Sequence, residues 1–491
     1  MHGKEVHRTS KLAQTAAFIA TFAVSVGALG DDSTELRIRQ VEDGLLPRVT
    51  LKENLGRTAS ITQRMSDLGI PGVSIAVIDG GKVVWARGYG AADNVEKTPV
   101  TAGTLFQAGS ISKPVAALGA LRLVSEGKLS LDEDVNAKLV TWRIPDNEFT
   151  RDEKVTLRRL MSHTAGLTVH GFPGYPMDSQ LPTVVQVLNG QPPANTPPVR
   201  VDLRPGSAYR YSGGGYTVMQ VLIADVSGDT FESFMQSKVL DVLGMRSSTY
   251  MQSPQPALAA RRASGHRWGG ERIPGKLHLY PEMAAAGLWT TPTDLAQYLL
   301  YVQAAVRGDP GLFIDASLAR ELVARQNGGA HGLGPEIYAT GEFARFGHNG
   351  VDEGFEASAV AYVARGQGLV VMANANRASM FFDEVKASVA RAYGWPGFPA
   401  RPQIEVGRVP PFLLERMPGT YRTDGMTAVV SARNGRLFVA LLELGVAEAF
   451  AASATELITP GFGLATFQWI EANGRITGLK TSDGRVLQRI D

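Results

Sequence analysis

The chain has 491 residues, 44% of them hydrophobic and 20% charged, with a formal net charge of +2. That is an ordinary globular composition, long enough for two or three domains, with neither a broad basic face for nucleic acid nor an acidic tail. The absence of cysteine excludes disulfides, thiolate metal sites and cysteine nucleophiles together.

Lys4, Arg8 and Lys11 precede an apolar stretch from Leu12 to Leu29, and small residues follow at Ala28 and Gly30. This is the layout of a secretory signal over residues 1–30. The run is interrupted and shorter than the ~20 apolar residues of a spanning helix. The expectation is export to the periplasm or beyond, with no stable membrane insertion after signal removal. Residues 31–59 read as a polar, helical lead-in.

Val73–Ile78 and Lys82–Ala86 flank Asp79-Gly80-Gly81 and predict a β-hairpin. The apolar spacing then turns helical from Pro114 to Glu126 and stops at Gly127. Residues 172–205 are rich in Pro and Gly and read as long loops. Helices are expected near Thr217–Val226, Thr293–Val306 and Phe382–Tyr393, and strands over Ala357–Val363 and Gly368–Ala373. Pro396, Pro399, Pro402, Pro410 and Pro411 mark a linker over 396–412. Beyond it, Asn434-Gly435, Asn473-Gly474 and Asp483-Gly484 each sit between β-rich runs, so 413–491 reads as a small antiparallel barrel or sandwich.

Ser110 and Lys113 stand three apart, hence on one helix face, a turn apart. With a helix starting at Ser110, its positive end would favour an oxyanion at that hydroxyl. The lysine can accept the hydroxyl proton only when neutral, which requires desolvation or a nearby positive charge. Alone, the pair reads equally as an N-cap serine beside a surface lysine. Ser125 and Lys128 share the spacing but read as a helix C-terminus broken by Gly127.

Tyr211-Ser212-Gly213 leads into a glycine-rich turn, and His348-Asn349-Gly350 precedes a predicted strand, where glycine lets a ligand approach main-chain N–H groups. There is no H-E-x-x-H, strict G-x-S-x-G, dinucleotide fingerprint or P-loop. His163 and His170 flank a loop and lack a third metal ligand, so they read as packing residues.

The ordered set Ser110-x-x-Lys113, Tyr211-Ser212-Gly213 and His348-Asn349-Gly350 resembles the signature elements of the penicillin-recognising serine hydrolases. The nearest branch is the class C β-lactamase-like group of D-aminopeptidases, DD-peptidases and lactamase-like esterases. Val155–Leu167 and Ala286–Leu295 resemble further landmarks, and Pro418-Gly419-Thr420-Tyr421 is similar to the lipocalin-like barrels appended to some members. The resemblance covers roughly residues 60–395. It implies an α+β fold: a β-lactamase/transpeptidase-like antiparallel sheet flanked by helices, an all-helical lobe, and a small all-β lipocalin-like C-terminal domain.

The resemblance also implies roles. Ser110 attacks an ester or amide carbonyl, Lys113 takes its proton, and Tyr211 passes that proton to the leaving group. The N–H groups of Ser110 and Val351 form the oxyanion hole, and Gly213, Asn349 and Gly350 border the substrate. Two positions depart from the pattern. Gly213 stands where an amide-bearing Asn is usual, and His348 replaces a Lys that helps fix a carboxylate. An imidazole of ordinary pKa ~6.5 holds an anion less well at neutral pH. The expectation is a hydrolase of small-molecule esters, amides or peptides that uses no cofactor and no metal. A β-lactamase, a DD-carboxypeptidase or transpeptidase, and a non-catalytic binding protein on the same fold stay open as alternatives.

Overall fold

The hairpin around Asp79 is the starting point of the architecture. In the computed structural model, which describes residues 32–253, 255–267, 269–399, 403–441, 445–460 and 464–491, its arms are β1 (Gly72–Asp79) and β2 (Lys82–Asp93). The chain adds β3 (Thr98–Pro99), β4 (Glu336–Ala339), β5 (Arg345–Asp352), β6 (Phe355–Tyr362) and β7 (Gly368–Ala373). Together they make one seven-stranded antiparallel sheet ordered β3-β2-β1-β7-β6-β5-β4. The signal predicted over 1–30 lies outside the described residues.

Strand alternation divides the core. Val73, Ile75 and Val77 face one layer with Leu369 and Val371, covered by α1 (Ile61–Leu68) and by Phe381, Val385 and Val389 of a C-terminal helix. Ala76, Ile78, Val370 and Met372 face the other layer and join the core of the helical lobe. That lobe is centred on α2 (Ser112–Ser125) and α3 (Gly213–Ser227), with α4 (Pro292–Arg307) laid against the sheet. The helix that carries Phe381 is α5 (Ser379–Ala392).

Several expected boundaries move. Helix α2 begins at Ser112, ahead of Pro114, because proline is tolerated in a first helical turn, where its missing N–H has no partner to lose. Helix α3 begins at Gly213, before Thr217, since the glycines read as a turn are helical and capped by Ser212 Oγ, which accepts from Gly215 N at 3.0 Å. The stretch read as long loops contains a helix at Val184–Asn189, started by a Thr183/Gln186 capping box. The lead-in is α-helical over 32–42 with a 3-10 turn at Lys52–Asn54; Val49–Leu51 pairs in parallel with Ile404–Val406, inside the stretch read as linker.

Beyond a short helix at Pro411–Arg416, eight strands close a barrel: β8 (Gly419–Thr423), β9 (Met426–Arg433), β10 (Arg436–Leu441), β11 (Gly445–Ala451), β12 (Glu456–Thr459), β13 (Ala465–Ala472), β14 (Arg475–Thr481) and β15 (Val486–Arg489). Three of its hairpins turn at the dipeptides singled out above. Asn434 and Gly435 have φ of 51° and 71°, and Asn473 and Gly474 of 51° and 75°, as tight primed turns require.

Candidate active site

The turn that carries Ser110 is held by two close contacts that only glycine permits. Gly109 has φ of 51°, and a Cβ there would lie 2.4 Å from Val351 N. A Cβ on Gly350 would lie 1.9 Å from the Ala108 carbonyl oxygen. Strand β5 therefore lies directly on the 3-10 turn Gly109–Ile111. Gly350 serves that contact between backbones and does not line the cleft. Ser110 sits in this turn, two residues ahead of α2.

Lys113 Nζ lies 2.9 Å from Ser110 Oγ and donates to the Ala285 carbonyl at 2.8 Å. The lysine is 2% exposed, and burial lowers its pKa to about 7, against an opposing pull from Asp352. Desolvation thus supplies the free amine that a general base requires. The supporting contacts are specific. Gln220 Nε2 donates to Pro281 O at 3.0 Å and its Oε1 accepts from Ala284 N at 3.0 Å, fixing the turn that presents Ala285. Ser112 Oγ accepts from Leu288 N at 3.0 Å, and Tyr250 OH donates to Ser112 O at 2.7 Å.

Tyr211 reaches the same point from the start of α3. Its ring centroid lies 5.0 Å from Lys113 Nζ, its hydroxyl interacts with Ser110, and burial raises its pKa. The ring stacks on His163 at 4.1 Å between centroids. His163 occupies the left-handed region at φ of 60°, and its Nδ1 accepts from Ser212 N at 3.1 Å.

Ser110, Lys113, Tyr211, His348, Asn349 and Val351 line one cleft of 610 Å³, with Asp352, His331 and the His170–Phe172 loop completing the wall. Asn349 is exposed, and its Oδ1 accepts from Ser358 Oγ at 2.7 Å. Gly213 is buried and does not line the cleft. A Cβ there would meet the Phe172 ring at 3.0 Å and the His170 carbonyl at 3.1 Å, so the 170–172 loop fills the space a longer side chain would need.

The protonation of His348 follows from its neighbours. Its Nδ1 lies 2.5 Å from the Asn349 carbonyl, which can only accept, so Nδ1 carries the hydrogen. Burial lowers its pKa to about 3, leaving Nε2 as a lone pair. His331 Nε2, 3.4 Å away, must then be the donor. His331 is likewise neutral, its pKa lowered to about 4 by burial, so its Nδ1 accepts from Tyr209 OH at 3.1 Å. The hydrogen-bond chain has one sense, from Tyr209 through both imidazoles to the Asn349 carbonyl, and it carries no charge.

The family model for β-lactamase matches residues 58–393. The chain belongs to the β-lactamase family. This β-lactamase-family chain is 23% identical over 412 residues to penicillin-binding protein 4* of Bacillus subtilis, covering 78% of this chain and 86% of that one. It is 33% identical over 196 residues to the unguisins hydrolase ungD of Aspergillus violaceofuscus, covering 37% of this chain and 32% of that relative. Of a further Bacillus subtilis relative it spans 58%. The octameric penicillin-binding protein homologue from Pyrococcus abyssi superposes with a TM-score of 0.57 at 20% identity, over 87% of this chain and 98% of that one. At that identity the likeness shows the fold alone.

Within this β-lactamase-family site, sequence reasoning missed His331, Asp352 and the Ala285 carbonyl. A signal existed for Asp352: strand alternation places it on the same face as His348 and Gly350. None existed for Ala285, whose backbone oxygen is brought in by Gln220 from another helix.

Proposed function

We propose that the chain is a serine hydrolase of small esters or amides that works through an acyl-serine. The observation that carries this reading is the desolvated Lys113 amine, 2.9 Å from Ser110 Oγ. Lys113 Nζ takes the Ser110 hydroxyl proton as Oγ bonds to the carbonyl carbon, and the carbonyl π pair moves onto oxygen. The Ser110 and Val351 N–H groups stabilise that oxyanion. As it collapses, the bond to the leaving group breaks, and the proton on Lys113 passes through the Tyr211 hydroxyl to the leaving oxygen or nitrogen. Water then attacks the acyl-serine, losing a proton to the same pair, and the carboxylic acid departs as Ser110 recovers its hydrogen.

The uncharged His348 favours substrates without a carboxylate at that end of the cleft, which argues for ester and amide hydrolysis over β-lactam turnover. The hydrolase named among the relatives supports the chemistry. Labelling with a fluorophosphonate and peptide mapping tests it, together with a panel of short-chain nitrophenyl esters, amino-acid amides and a chromogenic cephalosporin. An adduct on Ser110, and loss of hydrolysis in Ser110→Ala, is expected. Hydrolysis that survives in Ser110→Ala would place the chemistry elsewhere.

A further inference from the structure

The face of β5 that turns away from the helical lobe borders a second cavity. Alternation along the strand sends Phe346 into the core of that lobe, and sends Arg345, Asn349 and Val351 the other way, toward α5. Between strand and helix lies a space of 390 Å³, within the ~300–1,000 Å³ range of small-molecule sites. Its walls are largely apolar: Phe382 and Ala387 of α5, Val360 of β6, and Phe398 and Pro399 just after α5.

One cation in this wall has no counter-ion. Arg345 is 7% exposed, its Nε is enclosed without a partner, and among the described residues no carboxylate forms an ion pair with it. The Phe398 and Tyr362 rings lie 4.9 and 5.6 Å from its Cζ. The Tyr362 hydroxyl, which donates to Pro396 O at 2.6 Å, can accept one of its N–H groups. Aromatic rings offset part of the cost of burying a charge, but they do not complete the guanidinium's remaining donors. The acids that share the cavity are engaged elsewhere. Glu356 Oε1 accepts from Arg377 N, and the N–H groups of Ala378 and Ser379 hold the same carboxyl group. Asp383 lies 3.2 Å from Lys386 Nζ and 4.0 Å from Arg48 Nη1.

A buried guanidinium without an anion is costly, and a carboxylate meets its planar fork with paired, charge-assisted hydrogen bonds. An inorganic anion would leave the apolar walls unfilled. We infer that this cavity is a second binding site, for a small carboxylic acid with an apolar body. The carboxylate pairs with Arg345, and the body packs on Phe382 and Phe398. The site is distinct from the catalytic cleft, although Asn349 and Val351 line both cavities. Its occupant therefore bears on the strand that borders Ser110.

Calorimetric titration of the full chain with phenylpropanoate and hexanoate, and with their neutral amides, tests the inference. The acids should bind, and the amides should bind at least about tenfold more weakly, as the loss of a hydrogen bond to a charged group implies. Arg345→Gln should weaken the acids by a similar factor and leave the amides unchanged, and Arg345→Lys should lose less. Ala387→Leu narrows the cavity without touching the charge; it should weaken acids and amides alike, and it carries the test if Arg345→Gln does not fold. Lys113→Ala should bind as wild type does, since an acid held in the catalytic cleft would depend on that amine. Acids that bind no better than amides would overturn the inference, as would an Arg345→Gln with wild-type affinity. So would affinity lost in Lys113→Ala but kept in Ala387→Leu, or no saturable binding of either acid. Every readout is a binding constant, so none depends on turnover at Ser110.

Discussion

The cleft and the C-terminal barrel treat polar side chains in opposite ways. Around Ser110 the fold buries Lys113, His163, His331, His348, Glu282 and Asp352. In the barrel strands, the buried polar side chain among the described residues is Thr459, whose hydroxyl donates to Ala465 O at 3.0 Å. Barrel ion pairs such as Arg485–Asp483 stay half exposed, at 50% and 51% of their side chains. Desolvating an ionisable group costs stability but shifts its protonation toward a useful range. The barrel follows the rules of a stable core, whereas the cleft departs from them around Ser110 and Lys113.

The contrast can be broken most severely at Ser110. Ser110→Ala should lower kcat/KM by at least about 10⁴-fold, as expected for one member of a unit that acts together. Lys113→Ala should cost about 10²–10⁴-fold, the usual contribution of a general base, read as the rate of fluorophosphonate labelling. Equal labelling in Lys113→Ala would assign the base elsewhere.

A pH profile sharpens the comparison. Lys113 has a folded-state pKa of about 7, below the ordinary 10.5. The protonated amine cannot accept the serine proton, so acylation should be lost as pH falls through about 7 and reach a plateau above it. The unfolded chain binds this proton more tightly, so stability should rise with pH between about 7 and 10.5. A flat acylation profile from pH 5 to 9 would contradict the assignment.

Smaller effects are expected further out. His331→Ala removes the donor to His348, whose ionisation should move up from about 3 toward the ordinary range. The accompanying loss in kcat/KM is about tenfold, the worth of one hydrogen bond. Imidazole ¹⁵N spectra against pH would show the raised ionisation of His348 Nε2, which a merely structural role would not produce. Leu437→Ala, in the fully buried barrel core, should destabilise the barrel by about 2–4 kcal/mol. Ser110 labelling should keep its wild-type rate, and a large loss there would mean the barrel participates in the chemistry.

Local rules made much of this legible. The Asp79 hairpin, the Asn-Gly turns and the 3.6-residue spacing of α2 are short-range signals, and each lies where the sequence places it. The Ser110-x-x-Lys113 pair was visible because both residues share one turn. What escaped depends on contacts across long separations. The glycines of Tyr211–Tyr216 read as a turn ahead of a helix, yet they are themselves helical, with Val199 and the 168–172 segment packed against them. His331 meets His348 only through strand pairing, and the burial of Asp352, on the same strand face as His348, is seen only in three dimensions. The stretch at 396–412 read as a linker because proline and glycine mask the three-residue strand it contains.

That strand has a mechanical consequence. Pairing Ile404–Val406 with Val49–Leu51, reinforced by Gln403 Nε2 to Pro47 O at 3.0 Å and Gly56 N to Gln403 Oε1 at 3.0 Å, makes a clasp between segments some 350 positions apart in the chain. Arg48 N, beside the clasp, bonds to Glu384 on α5 at 2.9 Å. The segment that leads into the barrel is thus tied back to a strand ahead of the sheet, and deleting residues 47–51 would loosen it.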